Sequence, residues 1–276
     1  MSFFRIYALC ALITCCTVVN ATTITTSSAA VGIIINEICG NKCNANIVKT
    51  RTHSHDFSAI MPRTIMQITK SDAIIAINRQ FDSALLKISD GKKTVILFDD
   101  NKTDGHIWSQ PVTMVIAAQK IQKYLTENLP QHKQYFDKNT SILLQLLQPL
   151  LKKYSVLTSC NKTQLFTMHD GFFNLHKEYK LLFSGTLTDN IEHGIDQKTV
   201  MLFMHALKQD KICVINEPHL NFILQNILDK TKDSLKNVTV ISVDAEDDAL
   251  RNAKNGINEY MKYADNNLQK YIKCLC

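Results

Sequence analysis

Asp72-Ala73-Ile74-Ile75-Ala76-Ile77-Asn78 is an apolar run closed by polar residues at both ends. A segment of this length with no polar residue on either face fits a strand buried on both sides, as in an inner strand of a parallel sheet. The flanking sequence agrees. Upstream, Pro62 to Lys70 has a proline near its start and Ile65, Met66 and Ile68 at helical spacing. Downstream, Phe81 to Lys87 reads as a helix and Thr94 to Phe98 as the next strand. Strands alternating with helices predict a parallel α/β sheet.

Working outward, residues 22–30 are rich in Thr, Ser and Ala and are expected to be a mobile mature N-terminus. Val31 to Ile35 reads as the first buried strand, Asn36 to Asn46 as irregular, and Ile47 to Thr50 as a second strand. Pro111 opens a helix reaching about Leu129, with Val115, Ala118, Ile121 and Leu125 recurring at three or four; Pro130 ends it. Gln131 to Tyr154 carries a second, longer helical pattern, which Pro149 is expected to bend. Roughly twenty-four helical residues span about 36 Å, a domain's width, and suit a connector between two lobes.

The alternation then restarts. Strands are expected at 165–168, 180–185, 212–215 and 238–243, and helices at 170–179, 198–208, 220–230 and 259–274. The expected organisation is a signal peptide (1–21), an N-terminal α/β lobe (22–129), a linker helix (130–154) and a C-terminal α/β lobe (155–276).

The 276 residues, 45% hydrophobic, can bury the cores of two such lobes. Eight glycines and five prolines are too few for a loop-rich or low-complexity chain. The net charge of +6 comes from lysines that sit singly or in pairs, with no stripe that would bind nucleic acid. Arg5, the uncharged stretch Ile6 to Val19 and the small residues around Val19-Asn20-Ala21 predict export, with cleavage after Ala21. Cys15 follows Leu12-Ile13-Thr14, a poor site for lipid anchoring. No later segment reaches eighteen apolar residues, so the mature chain is expected to be soluble, and a monomer. Beyond the leader six cysteines remain, which fits disulfides in an exported protein. Cys39 and Cys43 have metal-ligand spacing, but a zinc ribbon needs a second such pair and none exists, so a local disulfide is expected.

Three histidine motifs lie one per third of the chain: His53-Ser54-His55-Asp56-Phe57, Asp104-Gly105-His106-Ile107-Trp108 with the only tryptophan, and His169-Asp170-Gly171-Phe172-Phe173. In parallel α/β sheets ligands bind beyond the carboxyl ends of strands. His55, His106, His169 and Asp244 all follow an expected strand or sit in the loop it feeds. Neutral imidazoles suit zinc, and a fourth oxygen completes a tetrahedron. Asp56, Asp104 and Asp170 are expected to accept from the ligating rings and set their tautomers.

These motifs, in this order with Pro62, Pro111, Glu217-Pro218, Val243-Asp244 and Cys274, resemble the substrate-binding proteins of bacterial zinc ABC transporters, the cluster A-I metal-binding family. The resemblance runs from about Val31 to Cys276. It implies two α/β lobes joined by one long helix, with metal held in the cleft between them. It implies Zn2+ as the transported ligand, held by His55, His106 and His169, with Asp244 at the fourth position. It also implies a periplasmic location, a membrane ABC permease as partner and no enzymatic activity. A histidine at 169 favours zinc, since manganese-type members tend to carry glutamate there; a manganese or iron carrier is the sibling alternative. The family further implies a disulfide from Cys213 to Cys274, closing a loop of about sixty residues and stabilising by roughly 4 kcal/mol in the chain-entropy model. Cys39–Cys43 and Cys160–Cys276 are then the leftover pairings.

Two departures stand out. Asp99 to Gly105 is short and lacks the histidine-rich loop of many zinc members, and Leu187 to Gln197 matches the family poorly. Glu217 is expected to brace the cleft. Under a zinc-hydrolase alternative it would be the base, although the chain has no His-Glu-x-x-His helix. A secreted adhesin-like module is a further alternative.

Overall fold

Ser28 decides where the first helix begins. Its side chain accepts from the amide of Val31, and α1 (Ala29–Cys39) follows. Val31, Ile34 and Ile35 are fully buried within α1. The strand expected at 31–35 is therefore a helix. A short apolar run does not distinguish a buried strand from a buried helix, and the N-cap was the missed signal. The strand lies just before it. β1 (Thr22–Thr26) occupies the stretch expected to be a mobile terminus. Thr25 and Thr26 are fully buried. The Thr25 hydroxyl bonds that of Ser71 and accepts from Asn46 Nδ2 at 2.9 Å, so polar but β-branched residues serve as an inner strand.

The computed structural model describes residues 21–49, 60–89, 91–99, 105–190, 194–207, 211–229, 237–243, 247–251 and 256–276. The expected leader through residue 20, with Cys15, and the loop bearing His53 and His55 lie outside these residues, as does Asp244.

After α1 come β2 (Cys43–Ile47), α2 (Pro62–Thr69), β3 (Ala73–Ala76), α3 (Ser83–Ile88) and β4 (Lys93–Ile96). Their sheet has the order β2-β1-β3-β4, with every pair parallel. β3 is buried along its whole length, as the quoted run requires. β2 begins earlier than the strand expected at 47–50, because the Cys39–Cys43 disulfide brings the end of α1 directly to its start.

Two long helices follow, α4 (Pro111–Asn128) and α5 (Lys133–Tyr154). Pro149 lies inside α5, and the helix continues past it to Tyr154. Its 22 residues run about 33 Å. Near one end Asn139 Nδ2 donates to the carbonyl of Ile38 at 3.1 Å. At the other, Tyr154 donates to the carbonyl of Ala264 at 2.8 Å, and Lys153 pairs with Asp265 at 2.6 Å.

The second lobe comprises β5 (Gln164–Thr167), α6 (Phe173–Glu178), β6 (Phe183–Thr186), β7 (Thr188–Asn190), β8 (Gly194–Ile195), α7 (Gln197–Ala206), β9 (Ile212–Asn216), α8 (Asn221–Asp229), β10 (Val238–Ser242), α9 (Asp248–Arg251) and α10 (Ile257–Leu275). Its main sheet is also all parallel, in the order β10-β9-β5-β6. The stretch that departs from the family pattern forms the small antiparallel β7–β8 pair. α6 starts three residues later than the helix expected from Asp170. The fold is thus two parallel sheets flanked by helices, with the long α5 joining the lobes.

One hydrophobic cluster runs through both lobes, built on α1, α4, α5 and α10. Cys213–Cys274 ties α10 to β9, and Cys160–Cys276 ties its end to the segment after α5. All three expected pairings are therefore present. No described helix is long and apolar enough to cross a membrane.

Candidate metal centre

The carboxyl ends of β4 and β5 feed His106 and His169, the two candidate ligands among the described residues. After β4 the chain continues its pairing through Leu97 and Phe98, whose amides reach the carbonyls of Ala76 and Ile77 at 2.9 and 2.8 Å. It arrives at Gly105-His106 and a 3₁₀ turn, Ile107–Ser109, that opens into α4. The Ser109 amide bonds the His106 carbonyl at 3.0 Å, and the Thr113 hydroxyl bonds that of Ile107. Gly105 has φ +91°, and a Cβ there would overlap the Phe81 ring. Only glycine lets Phe81 lie this close. Phe81 meets His106 edge-on at 5.3 Å between ring centroids, and fully buried Trp108 does so at 5.4 Å. His106 is itself buried, 7% exposed. Two aromatic walls therefore fix its ring.

His169 follows β5 through Met168. The Met168 amide bonds Ile215 of β9 at 2.9 Å, and its carbonyl accepts from Thr188 at 3.0 Å, so the backbone before His169 is gripped from both sides. β9 ends at Glu217-Pro218, where proline supplies no amide to extend the ladder. Glu217 is buried, 1% exposed, and its Oε1 accepts from Nδ1 of His169. A carboxylate on Nδ1 keeps the proton there and leaves the Nε2 lone pair to bind a metal. Glu217 Oε2 makes no hydrogen bond among the described residues and lies 4.0 Å from Nδ1 of His219. Behind Glu217 stands Tyr271 of α10; burial, and then the charge of Glu217, push its phenol above the ordinary tyrosine range.

Nδ1 of His169 has Glu217 as its acceptor, which comes from the neighbouring strand end, 48 residues on. Asp56 and Asp104 lie outside the described residues.

The two imidazoles meet across the lobes, with ring centroids 5.2 Å apart and planes at 70°. α6, which follows His169, packs against the Ile107–Ser109 turn that follows His106. Among the described residues no three His, Cys, Asp or Glu side chains are gathered closely enough to hold a metal. Of the four expected ligands, His106 and His169 are brought together, while His55 and Asp244 lie outside the described residues.

Two parallel-sheet lobes, a long connecting helix and facing histidines at strand ends define a two-lobed solute-binding protein. The chain belongs to the ZnuA family, described as zinc-uptake complex component A, periplasmic, whose model matches residues 24–274. It is similar to the high-affinity zinc uptake system protein ZnuA of Haemophilus influenzae, 24% identical over 175 residues; the match covers 63% of this chain and 50% of that protein. This chain therefore spans about half the length of that relative. In fold it is similar to the periplasmic zinc binding protein TroA of Treponema pallidum (TM-score 0.74, 12% identity, covering 93% of this chain and all of that one). It is also similar to Zn(II)-bound AdcA of Streptococcus pneumoniae (TM-score 0.67, 20% identity, covering 91% of this chain and 58% of that one).

Proposed function

We propose that this protein binds one Zn2+ in the cleft between its lobes and delivers it to a membrane ABC permease. His55, His106, His169 and Asp244 are the proposed ligands. The observation that supports this most directly is the pairing of His106 and His169 from different lobes, with Glu217 presetting the tautomer of His169. Two neutral imidazoles form a borderline-soft donor set suited to zinc rather than manganese. The family's periplasmic description and the leader-like residues 1–21 support export across the inner membrane.

We favour a carrier over a zinc hydrolase. The hydrolase alternative needs Glu217 as base, and that residue is buried with one oxygen committed to His169. Release from three histidines is slow unaided, so unloading requires contact with the permease, or acid, because ligating imidazoles must be neutral.

The test is the metal content of residues 22–276 by mass spectrometry after equimolar competition between zinc and manganese. The comparison is a variant carrying His55→Ala, His106→Ala and His169→Ala. One zinc in the wild type and none in the variant is the expected result. Manganese in place of zinc moves the protein to the sibling class, and no bound metal in either protein overturns the proposal.

A further inference from the structure

The segment after β10 reaches back into the first lobe. Asp247 is buried, 1% exposed, and its Oδ2 accepts from the Ser28 hydroxyl at 2.7 Å and from the Ala30 amide at 3.1 Å. A helix leaves its first amides without intrahelical partners. At α1 the Val31 amide is met by Ser28, and the Ala30 amide by a carboxylate 217 positions away. The negative charge also sits at the positive end of the helix dipole. Arg251 lies 3.5 Å from that carboxylate and donates to the Ser27 carbonyl at 3.1 Å. Near the far end of α1, Glu37 accepts from the Ile257 amide at 3.0 Å. Both ends of α1 are therefore held by the stretch that leads from β10 into α10.

These contacts continue toward the site. Ser27 donates its hydroxyl to Asp82, whose other oxygen accepts the Ile77 amide at 2.5 Å. Asp82 adjoins Phe81, the ring that walls His106.

We propose that Asp247 and Arg251 form an interlobe latch that steadies the wall behind His106 and slows the escape of metal from the cleft. They are positioning residues: they touch α1, not the metal. The proposal rests on the zinc-binding function proposed above. Metal held from two lobes leaves when the lobes or their walls move apart. Such movement strips a buried carboxylate of its partners, which is unfavourable.

The experiment uses the full mature chain loaded with zinc, with release followed in excess chelator by stopped flow. Asp247→Asn and Ser28→Ala are expected to keep one zinc each and to release it about tenfold faster, within the usual range of coupling between sites. The double variant is expected to be slower than the two single effects combined would make it, because both remove the Ser28–Asp247 hydrogen bond. Tyr154→Phe, which removes a buried hydrogen bond to Ala264, serves as the control for general loosening. It is expected to lower the thermal midpoint and leave the release rate unchanged. Release at the wild-type rate from the latch variants, or equally fast release from Tyr154→Phe, overturns the latch.

A metal-free readout separates this outcome from failure of the zinc-binding function. Spin labels at Lys87→Cys and Lys177→Cys report the distance between lobes. The distribution is expected to widen in Asp247→Asn, and an unchanged distribution overturns the latch whether or not zinc binds. A wild type that loads no zinc overturns the proposed function instead.

Discussion

Replacing Glu217 by glutamine keeps the shape of the side chain and removes the charge that holds the Nδ1 proton of His169. Partners of this kind are worth about 10- to 100-fold in metal affinity. Glu217→Gln is therefore expected to weaken zinc binding by about that factor in chelator competition, with unchanged circular dichroism. Undiminished affinity would show that the carboxylate braces the fold and not the ligand. Gly105 makes a separate demand. Its φ of +91° and the Phe81 ring beside it leave no place for a methyl group. Gly105→Ala is expected to cost about 1–3 kcal/mol in urea unfolding and to weaken zinc binding, because the ring it displaces also walls His106. His106 and His169 were legible as residues, since each sits in the stretch that a parallel strand feeds. The Glu217 acceptor on Nδ1 of His169 was not, because it comes from another strand end.

Among the elements, β9 and α10 carry the back of the site. Cys213 lies in β9, four residues before Glu217, and Cys274 lies one turn beyond Tyr271 on α10. The bond closes a separation of 61 residues. Replacing both cysteines by alanine is expected to lower unfolding stability by about 2–4 kcal/mol, measured by denaturant titration without reductant. Loss of less than about 1 kcal/mol would mean that packing of α10 alone holds the segment. Long periodic segments such as α4, α5 and α10 were legible because many residues report one period. Two short ones were misassigned. Val31 to Ile35 reads equally as strand or helix, and Thr22 to Thr26 looks polar until its hydroxyls find partners inside the sheet.

For the whole molecule, the consequence of the proposed site between the lobes is that metal and fold stabilise each other. A ligand bound only by the folded state adds RT ln(1 + [L]/Kd), about 2.7 kcal/mol at a hundredfold excess over Kd. Zinc is therefore expected to raise the thermal midpoint of the wild type and to leave that of His169→Ala unmoved, in paired thermal scans with and without metal. A rise of equal size in the variant would place the stabilising zinc elsewhere. The continuous core through α1, α4, α5 and α10 makes a single cooperative transition the expected form of those scans.

By itself the sequence determined the class of fold, since hydrophobic periodicity and strand–helix alternation are local and survive without knowledge of contacts. It also determined the candidate histidines and the six cysteines available for pairing. Only the tertiary structure decided that β1 and α1 replace a loose terminus and a strand, because burial of an apolar run is a property of its neighbours. The same holds for Glu217 on His169 and for Asp247 on the start of α1. Hydrogen bonds between residues 48 and 219 positions apart leave no trace in local pattern, because they depend on where strand ends and helix ends meet.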